Sequence, residues 1–380
     1  MGEKRGMLTI AETRALRGLG ILGIVLHNYC HFLGFAVKEN EYTFTAERPR
    51  QFLEQLFSPD GNILIHLFSF LGHYGVPLFL FVSGLGLVLK YEKTRPNPPK
   101  GTVPDGPIQM EGNKTESVGQ GAGKWLADHF LKLFRLMVVG YVLFVLVYLL
   151  RHTDGARIYS WDRVVAQLTM TINFVYFDPD HIIKPGPYWF FGLMIQLYAL
   201  YRLVIYRWRS GYVLAALVAL AFVAEAVCSP QSADGVAWLN FIRYNFVGGV
   251  LPFALGVAWA RWTPPISHRW QWALILVVSA IGVLVGSLWF LSWLWVPLFV
   301  VTGAVATVRL LPGSMRDVCE WFGVLSSALF VIHPLLREII IWHYAKSDIH
   351  YGAVIYLLAS VAAAMLLQRV MKYIPNPRLR

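Results

Sequence analysis

Residues 17–31 read Arg17-Gly-Leu-Gly-Ile-Leu-Gly-Ile-Val-Leu-His27-Asn28-Tyr29-Cys30-His31. The stretch has the apolar character of a membrane-spanning helix, with an arginine at its basic end and two histidines inside. Ionisable residues within a bilayer are costly, and an inert span would use Leu or Val instead. On a helix rising ~1.5 Å per residue, His27 lies ~15 Å and His31 ~21 Å along the axis from Arg17. At about 100° per residue, His31 falls ~40° from the azimuth of Arg17, Asn28 ~20° and His27 ~80°. His27 and His31 are i,i+4 neighbours able to share one cavity. Gly18, Gly20 and Gly23 let a second helix approach closely.

The rest of the chain supports a membrane setting. Of its 380 residues 56% are hydrophobic and 14% charged, and the mean hydropathy is +0.52, which excludes an ordinary soluble domain. No small-residue cleavage site follows the first apolar run, so it is expected to be a retained span rather than a signal peptide. The three cysteines (Cys30, Cys228, Cys319) have neither metal-ligand spacing nor a disulfide pattern, and read as buried small apolar residues. No metal site and no tightly bound cofactor are expected.

A span needs ~20 mostly apolar residues. Ten segments qualify: 16–37, 62–90, 127–150, 187–207, 212–228, 243–260, 271–289, 291–310, 320–343 and 351–373. The fifth and sixth are the weakest, and 161–177 is expected to lie at the interface. The fold class is therefore an all-α polytopic membrane bundle forming one domain over residues 1–380. With the N-terminus inside, alternating topology puts 23 of the 33 Lys and Arg residues on one face. By the positive-inside rule that face is cytoplasmic, with both termini on it. The net charge of +11 follows from this topology, and no nucleic-acid partner is expected. Loop 91–125, rich in Pro, Gly and Lys, reads as a flexible cytoplasmic linker. The outer loops 38–61 and 151–186 are mixed in charge and aromatic, and offer a lid or an acceptor-binding surface.

Further polar residues fall within apolar segments. His66 and His73 are seven apart on one face of the second, and Gly75 and Pro77 predict a kink there. Ser83, further along, is either functional or bonded to its own helix. In the ninth, Ser326 and His333 are also seven apart. One turn is too far for a Ser–His nucleophile pair, so they are assigned to shaping or polarising a site. Trp189 opens the fourth, as an aromatic-belt residue or a sugar-stacking one. Histidine suits proton or acyl transfer because its ordinary pKa is near working pH, and Arg at the inner end suits a phosphate-bearing donor.

Together these segments resemble the acyltransferase-3 family of integral membrane proteins. Arg17 to His27 resembles its first-helix Arg…His motif, and Gly75-Val-Pro-Leu-Phe-Leu-Phe-Val-Ser-Gly84 its second-helix segment. Lys132-Leu-Phe-Arg135 resembles the basic start of its third helix, Tyr188-Trp189-Phe190 its "WF" segment, and Ser326 through His333-Pro334 its late helix. The resemblance implies acyl transfer, often of acetyl, from cytoplasmic acyl-CoA to a glycan or lipid-linked acceptor outside, in a bacterial-type plasma (inner) membrane. It also implies a catalytic His27 supported by Arg17.

Two features depart from the family pattern. Nine residues, not ten, separate Arg17 from His27, so Asn28 holds the usual azimuth; either the helix is locally overwound or kinked, or His31 shares the work. Phe330 stands where Tyr is common. On this reading His27, Arg17 and His31 are the catalytic candidates. Arg14, Asn28, His73, Ser83, Arg135, Trp189, Ser326 and His333 are the substrate-binding candidates. The competing reading is a transporter or exporter using intramembrane His and Arg as a relay. Against it stand the absence of paired inverted halves and of intramembrane Asp or Glu away from predicted span ends, where Glu225 and Glu338 lie.

Overall fold

The computed structural model describes residues 6–93, 121–344, 348–375 and 377. Among these there are helices and connecting loops and no strand. The central part of the expected linker, 94–120, lies outside the described residues; its two ends are already helical.

The expected first span is α1 (Ile10–Cys30). Helix α2 (Glu47–Phe57) is an amphipathic segment of the loop after it. The second expected span is broken. Helix α3 (Ile63–Leu71) tightens to a 3₁₀ turn at Gly72–Tyr74 and continues as α4 (Gly75–Tyr91). Pro77 sits in the first turn of α4, where N–H groups have no helical partner in any case. The third expected span is α5 (Ala122–Arg151). The interfacial region holds the short helices α6 (Trp161–Leu168), α7 (Ile172–Val175) and α8 (Pro179–Ile182). Helix α9 (Trp189–Leu200) runs on into a π-helical turn, Tyr201–Ile205.

Next come α10 (Gly211–Val227), then α11 (Ala233–Tyr244) and α12 (Phe246–Trp262), the last two meeting at a 43° bend. Helices α13 (Arg269–Gly286), α14 (Phe290–Trp293) and α15 (Val296–Leu310) follow. Helices α16 (Gly313–Tyr344) and α17 (Ile349–Tyr373) close the chain.

Each of the ten expected segments falls on a helix or a joined helix pair. Six are long and apolar enough to cross a membrane: Ile63–Tyr91, Ala122–Arg151, Gly186–Ile205, Arg269–Gly286, Gly313–Tyr344 and Ile349–Tyr373. The bent pair α11–α12 makes a seventh if it counts as one span, and α10 and α15 are apolar but shorter. Helix α1 falls outside this set because Glu12, Arg14, Arg17, His27 and Asn28 lower its hydropathy.

Helix α1 is the centre of the bundle, and glycine is what lets it be. A Cβ on Gly18 would lie 1.7 Å from the Cys319 carbonyl oxygen of α16, and one on Gly323 would lie 1.9 Å from the Arg14 carbonyl oxygen. On another side, a Cβ on Gly72 would lie 2.4 Å from the Gly23 carbonyl oxygen and 2.7 Å from the His27 Cβ. Close approach through small residues is the usual way helices associate where lipid removes the hydrophobic drive between them.

The start of α1 is fixed by a capping box: Thr9 Oγ1 accepts from Glu12 N at 3.1 Å and Glu12 Oε2 accepts from Thr9 N at 2.8 Å. Glu12 also pairs with Arg309 of α15 at 3.0 Å. The three cysteines are free.

Because the Gly18–Cys319 approach is between backbones, no rotamer change relieves an added side chain. Gly18→Val is therefore expected to separate α1 from α16 and to destabilise the protein by more than the ~1–3 kcal/mol typical of core overpacking. Thermal unfolding of detergent-purified protein checks this, and an unchanged Tm contradicts it.

Candidate active site

At the C-terminal end of α1 three histidines and two glutamates converge. The His27 ring lies 4.7 Å from that of His31 and 5.4 Å from that of His73, between centroids. His27 is buried. Its Nδ1 is 2.9 Å from the Ser69 carbonyl oxygen, just before the break between α3 and α4, and its Nε2 is 3.0 Å from Glu41 Oε1. A carbonyl only accepts, so Nδ1 carries a proton and donates it. Nε2 is left facing the Glu41 carboxylate. His31 Nδ1 lies 3.5 Å from the same Glu41 oxygen, and His73 places Nδ1 at 4.0 Å from it and Nε2 at 3.7 Å from Glu39 Oε1.

The acids come from the loop after α1, which is pinned at several points. Val37 N donates to His66 Nδ1 at 3.1 Å, and His66 Nε2 faces Asp60 Oδ2 at 3.2 Å. Arg48 Nη1 donates to the Glu39 carbonyl at 2.9 Å, and Asn40 Oδ1 accepts from Thr45 N at 3.0 Å. Tyr42 stacks on Tyr244 at 3.9 Å, with Trp189 and His73 edge-on to it. These contacts hold Glu41 in the left-handed region at φ +41°, a strained conformation for a residue with a Cβ and one seen at sites that hold a side chain in place.

The two acids differ in charge. Burial, with the Glu41 carboxylate alongside, raises the Glu39 carboxyl well above the usual range. Burial acts the same way on Glu41, but the His27 hydrogen bond and the nearby histidine charges outweigh it and hold its pKa below the ordinary value.

A cavity opens beside this cluster, walled by Tyr42, Trp189 and Trp293 and reaching Arg243. The first turns of α4, α9, α12 and α15 line it, through Pro77, Trp189, Gly248 and Pro297. Four helices therefore begin where α1 ends, the arrangement an up-and-down order requires, and their N-terminal dipoles favour negative charge there. Arg243 pairs with Glu225 at 3.2 Å, and its guanidinium lies 4.1 Å over the Trp293 ring.

The remaining candidates are dispersed. Asn28 donates to the Ile24 carbonyl at 3.0 Å and accepts from Arg337 Nη1 at 2.9 Å, so it faces α16 and not the cluster. Arg17 and Arg14 are at the other end of α1. Arg14 pairs with Glu320 at 2.9 Å; Arg17 is half-buried and makes no hydrogen bond or ion pair among the described residues. Ser83 is bonded to its own helix through the Phe79 carbonyl at 2.7 Å, and Ser326 likewise through Gly323 at 2.8 Å. Arg135 donates to the Met371 carbonyl. His333 is fully buried; its Nδ1 donates to the Leu329 carbonyl at 2.9 Å, and its Nε2 has no hydrogen-bond partner.

Sequence reasoning missed Glu39, Glu41, Tyr42 and Arg243. The available signal was two carboxylates and a tyrosine immediately after a span that ends in histidines.

The chain matches the model of the acyltransferase-3 family, described as an acyltransferase domain, over residues 10–369. This chain belongs to the acyltransferase-3 family. No curated protein and no solved structure matches it. Membership supports membrane acyl transfer and a multi-pass membrane protein.

The His66 contact is the anchor of the loop that carries the acids. His66→Ala leaves the buried Val37 N–H without its acceptor, a loss of ~1–3 kcal/mol. Faster amide hydrogen exchange across 36–45, with α1 and α16 unchanged, is the expected outcome by mass spectrometry.

Proposed function

We propose that this membrane acyltransferase carries an acyl group, acetyl in the simplest case, from cytoplasmic acyl-CoA to a hydroxyl of an envelope glycan or lipid-linked acceptor on the far side of the plasma (inner) membrane, both termini lying in the cytoplasm. The observation that carries the reading is the setting of His27. Its Nδ1–H is fixed on a backbone carbonyl, which leaves Nε2 as the basic nitrogen, and Nε2 faces a carboxylate at the edge of an aromatic cavity.

The chemistry follows from that tautomer. The acceptor hydroxyl displaces Glu41 from Nε2 and gives its proton to that nitrogen as its oxygen attacks the thioester carbonyl. The C–S bond then breaks, and the departing thiolate takes the proton back from Nε2–H. Where donor and acceptor do not meet, Nε2 itself attacks the thioester carbonyl and the C–S bond breaks to release the thiolate, which takes a proton from solvent. The hydroxyl oxygen then attacks the acyl carbon, the C–N bond breaks, and the hydroxyl proton passes to Glu41 and on to solvent. Glu41 stabilises the imidazolium in either case, and the helix N-termini around the cavity favour the oxyanion.

Arg17 has an unengaged guanidinium at the opposite end of α1, and with Arg14 and Arg135 it suits the phosphates of the donor. His31 and His73 complete the polar wall around His27. Trp189 and Tyr42 offer flat apolar faces to a sugar ring, and His333 presents a buried, unpaired Nε2. Asn28, Ser83 and Ser326 bond within or between helices and serve the substrate by holding those helices.

His27→Ala is expected to reduce acceptor-dependent thiol release from acetyl-CoA by ~10²–10⁴-fold, the usual loss with a general base. The measurement uses purified protein whose Tm matches wild type. Wild-type turnover in that variant would overturn the reading.

A further inference from the structure

We propose that His27, His31 and Glu41, with His73 beside them, form a binding site for a first-row divalent ion, Zn²⁺ foremost, whose occupation shuts off acyl transfer. His27 and His31 have the i,i+4 spacing that places two imidazoles on one helix face. His31, though it caps α1, keeps helical backbone angles (φ −62°, ψ −28°), so the spacing holds in three dimensions. Ligand atoms of His27, His31 and Glu41 lie within 4.8 Å of one another, and those of Glu39, Glu41 and His73 form a second such group sharing Glu41.

The separations fit an ion. Bonds of about 2.0–2.1 Å in tetrahedral geometry put donor atoms about 3.3–3.5 Å apart. Glu41 Oε1 is 3.0 Å from His27 Nε2, 3.5 Å from His31 Nδ1 and 4.0 Å from His73 Nδ1. Small rotations of side chains already in place would seat the ion among them.

Two further observations are those of a ligand set rather than of a hydrogen-bonded group alone. Histidines that bind metals donate their other ring N–H to a carbonyl or carboxylate, which fixes the tautomer. His27 does so to the Ser69 carbonyl at 2.9 Å. His31 Nδ1 and Glu39 Oε1 are buried and have no hydrogen-bond partner. The donors are imidazole and carboxylate without thiolate, a set that suits Zn²⁺ and its first-row neighbours over Ca²⁺ or Mg²⁺.

Occupation has a chemical consequence. A bound ion takes the Nε2 lone pair of His27, so that nitrogen no longer accepts a proton or an acyl group. This inhibitory part rests on the function proposed for His27; the binding of the ion does not.

The test is a Zn²⁺ titration of the full-length, EDTA-treated protein in detergent by calorimetry. X-ray absorption at the zinc edge of the loaded wild type and a parallel acyl-transfer assay accompany it. One ion per chain is expected, in an all-N/O shell showing outer-shell scattering from at least two imidazoles. His31→Ala and Glu41→Gln are each expected to weaken binding at least about tenfold. Zn²⁺ is expected to inhibit transfer, and EDTA to restore it.

Absence of stoichiometric binding, or a zinc shell without imidazole, overturns the site and leaves the His27 reading to its own variant. Affinity unchanged in both variants overturns the ligand assignment. Undiminished or enhanced transfer by the zinc-loaded protein overturns the inhibitory role.

Discussion

Helix α1 sits where it does because its backbone touches the backbones of two neighbours. Gly18 against Cys319 and Gly323 against Arg14 lock one side to α16, while Gly23 against Gly72 locks another to the break between α3 and α4. Contacts of this kind leave no slack for side-chain adjustment, and they place the polar groups of α1 with the accuracy of a backbone. His27 is the beneficiary: its Cβ lies against Gly72, and its ring falls between the Ser69 carbonyl and Glu41.

Three arginines inside the bundle follow one rule, and two others depart from it. Arg309 meets Glu12, Arg243 meets Glu225, and Arg261 meets Glu92 at 2.8 Å, so each of these half-buried cations has a carboxylate. Arg337, deeply buried in α16, is held by the Asn28 side chain and lies over the Phe32 ring instead. Arg17 is the half-buried cation whose guanidinium makes no hydrogen bond or ion pair among the described residues. A charge without a partner is costly where solvent is scarce, and an anionic ligand at that end of α1 would relieve it.

The sequence made the α1 cluster partly legible. A hydrophobic run with histidines four apart located two members, and the seven-residue spacing of His66 and His73 located a third. His66 went elsewhere: it clamps Val37 and steadies the loop. The acids were illegible because loop 31–46 has no period. Glu41 reaches His27 only after the chain reverses, and the contacts that hold the reversed loop include Tyr42 stacking on Tyr244, some two hundred residues along. The helical wheel gave Asn28 the azimuth of Arg17, and an azimuth says nothing of which neighbour lies there. The neighbour is Arg337, a residue that no spacing connected with α1. Apolar runs located every helix of the expected ten segments. Length and composition alone qualify six to seven of them as spans, since the polar groups that make α1 informative also make it a poor hydrophobic segment.

The partner of His27 Nδ1 is main chain, not side chain. A histidine oriented by Asp or Asn loses its tautomer to one base change; this one does not, because any residue at 69 still supplies a carbonyl. What fixes that carbonyl is the path of the chain through Gly72–Tyr74 and the absence of a side chain at Gly72. The proton position on His27 is thus inherited from a helix break, and a substitution at 69 that fits this buried position leaves the reactive nitrogen the same.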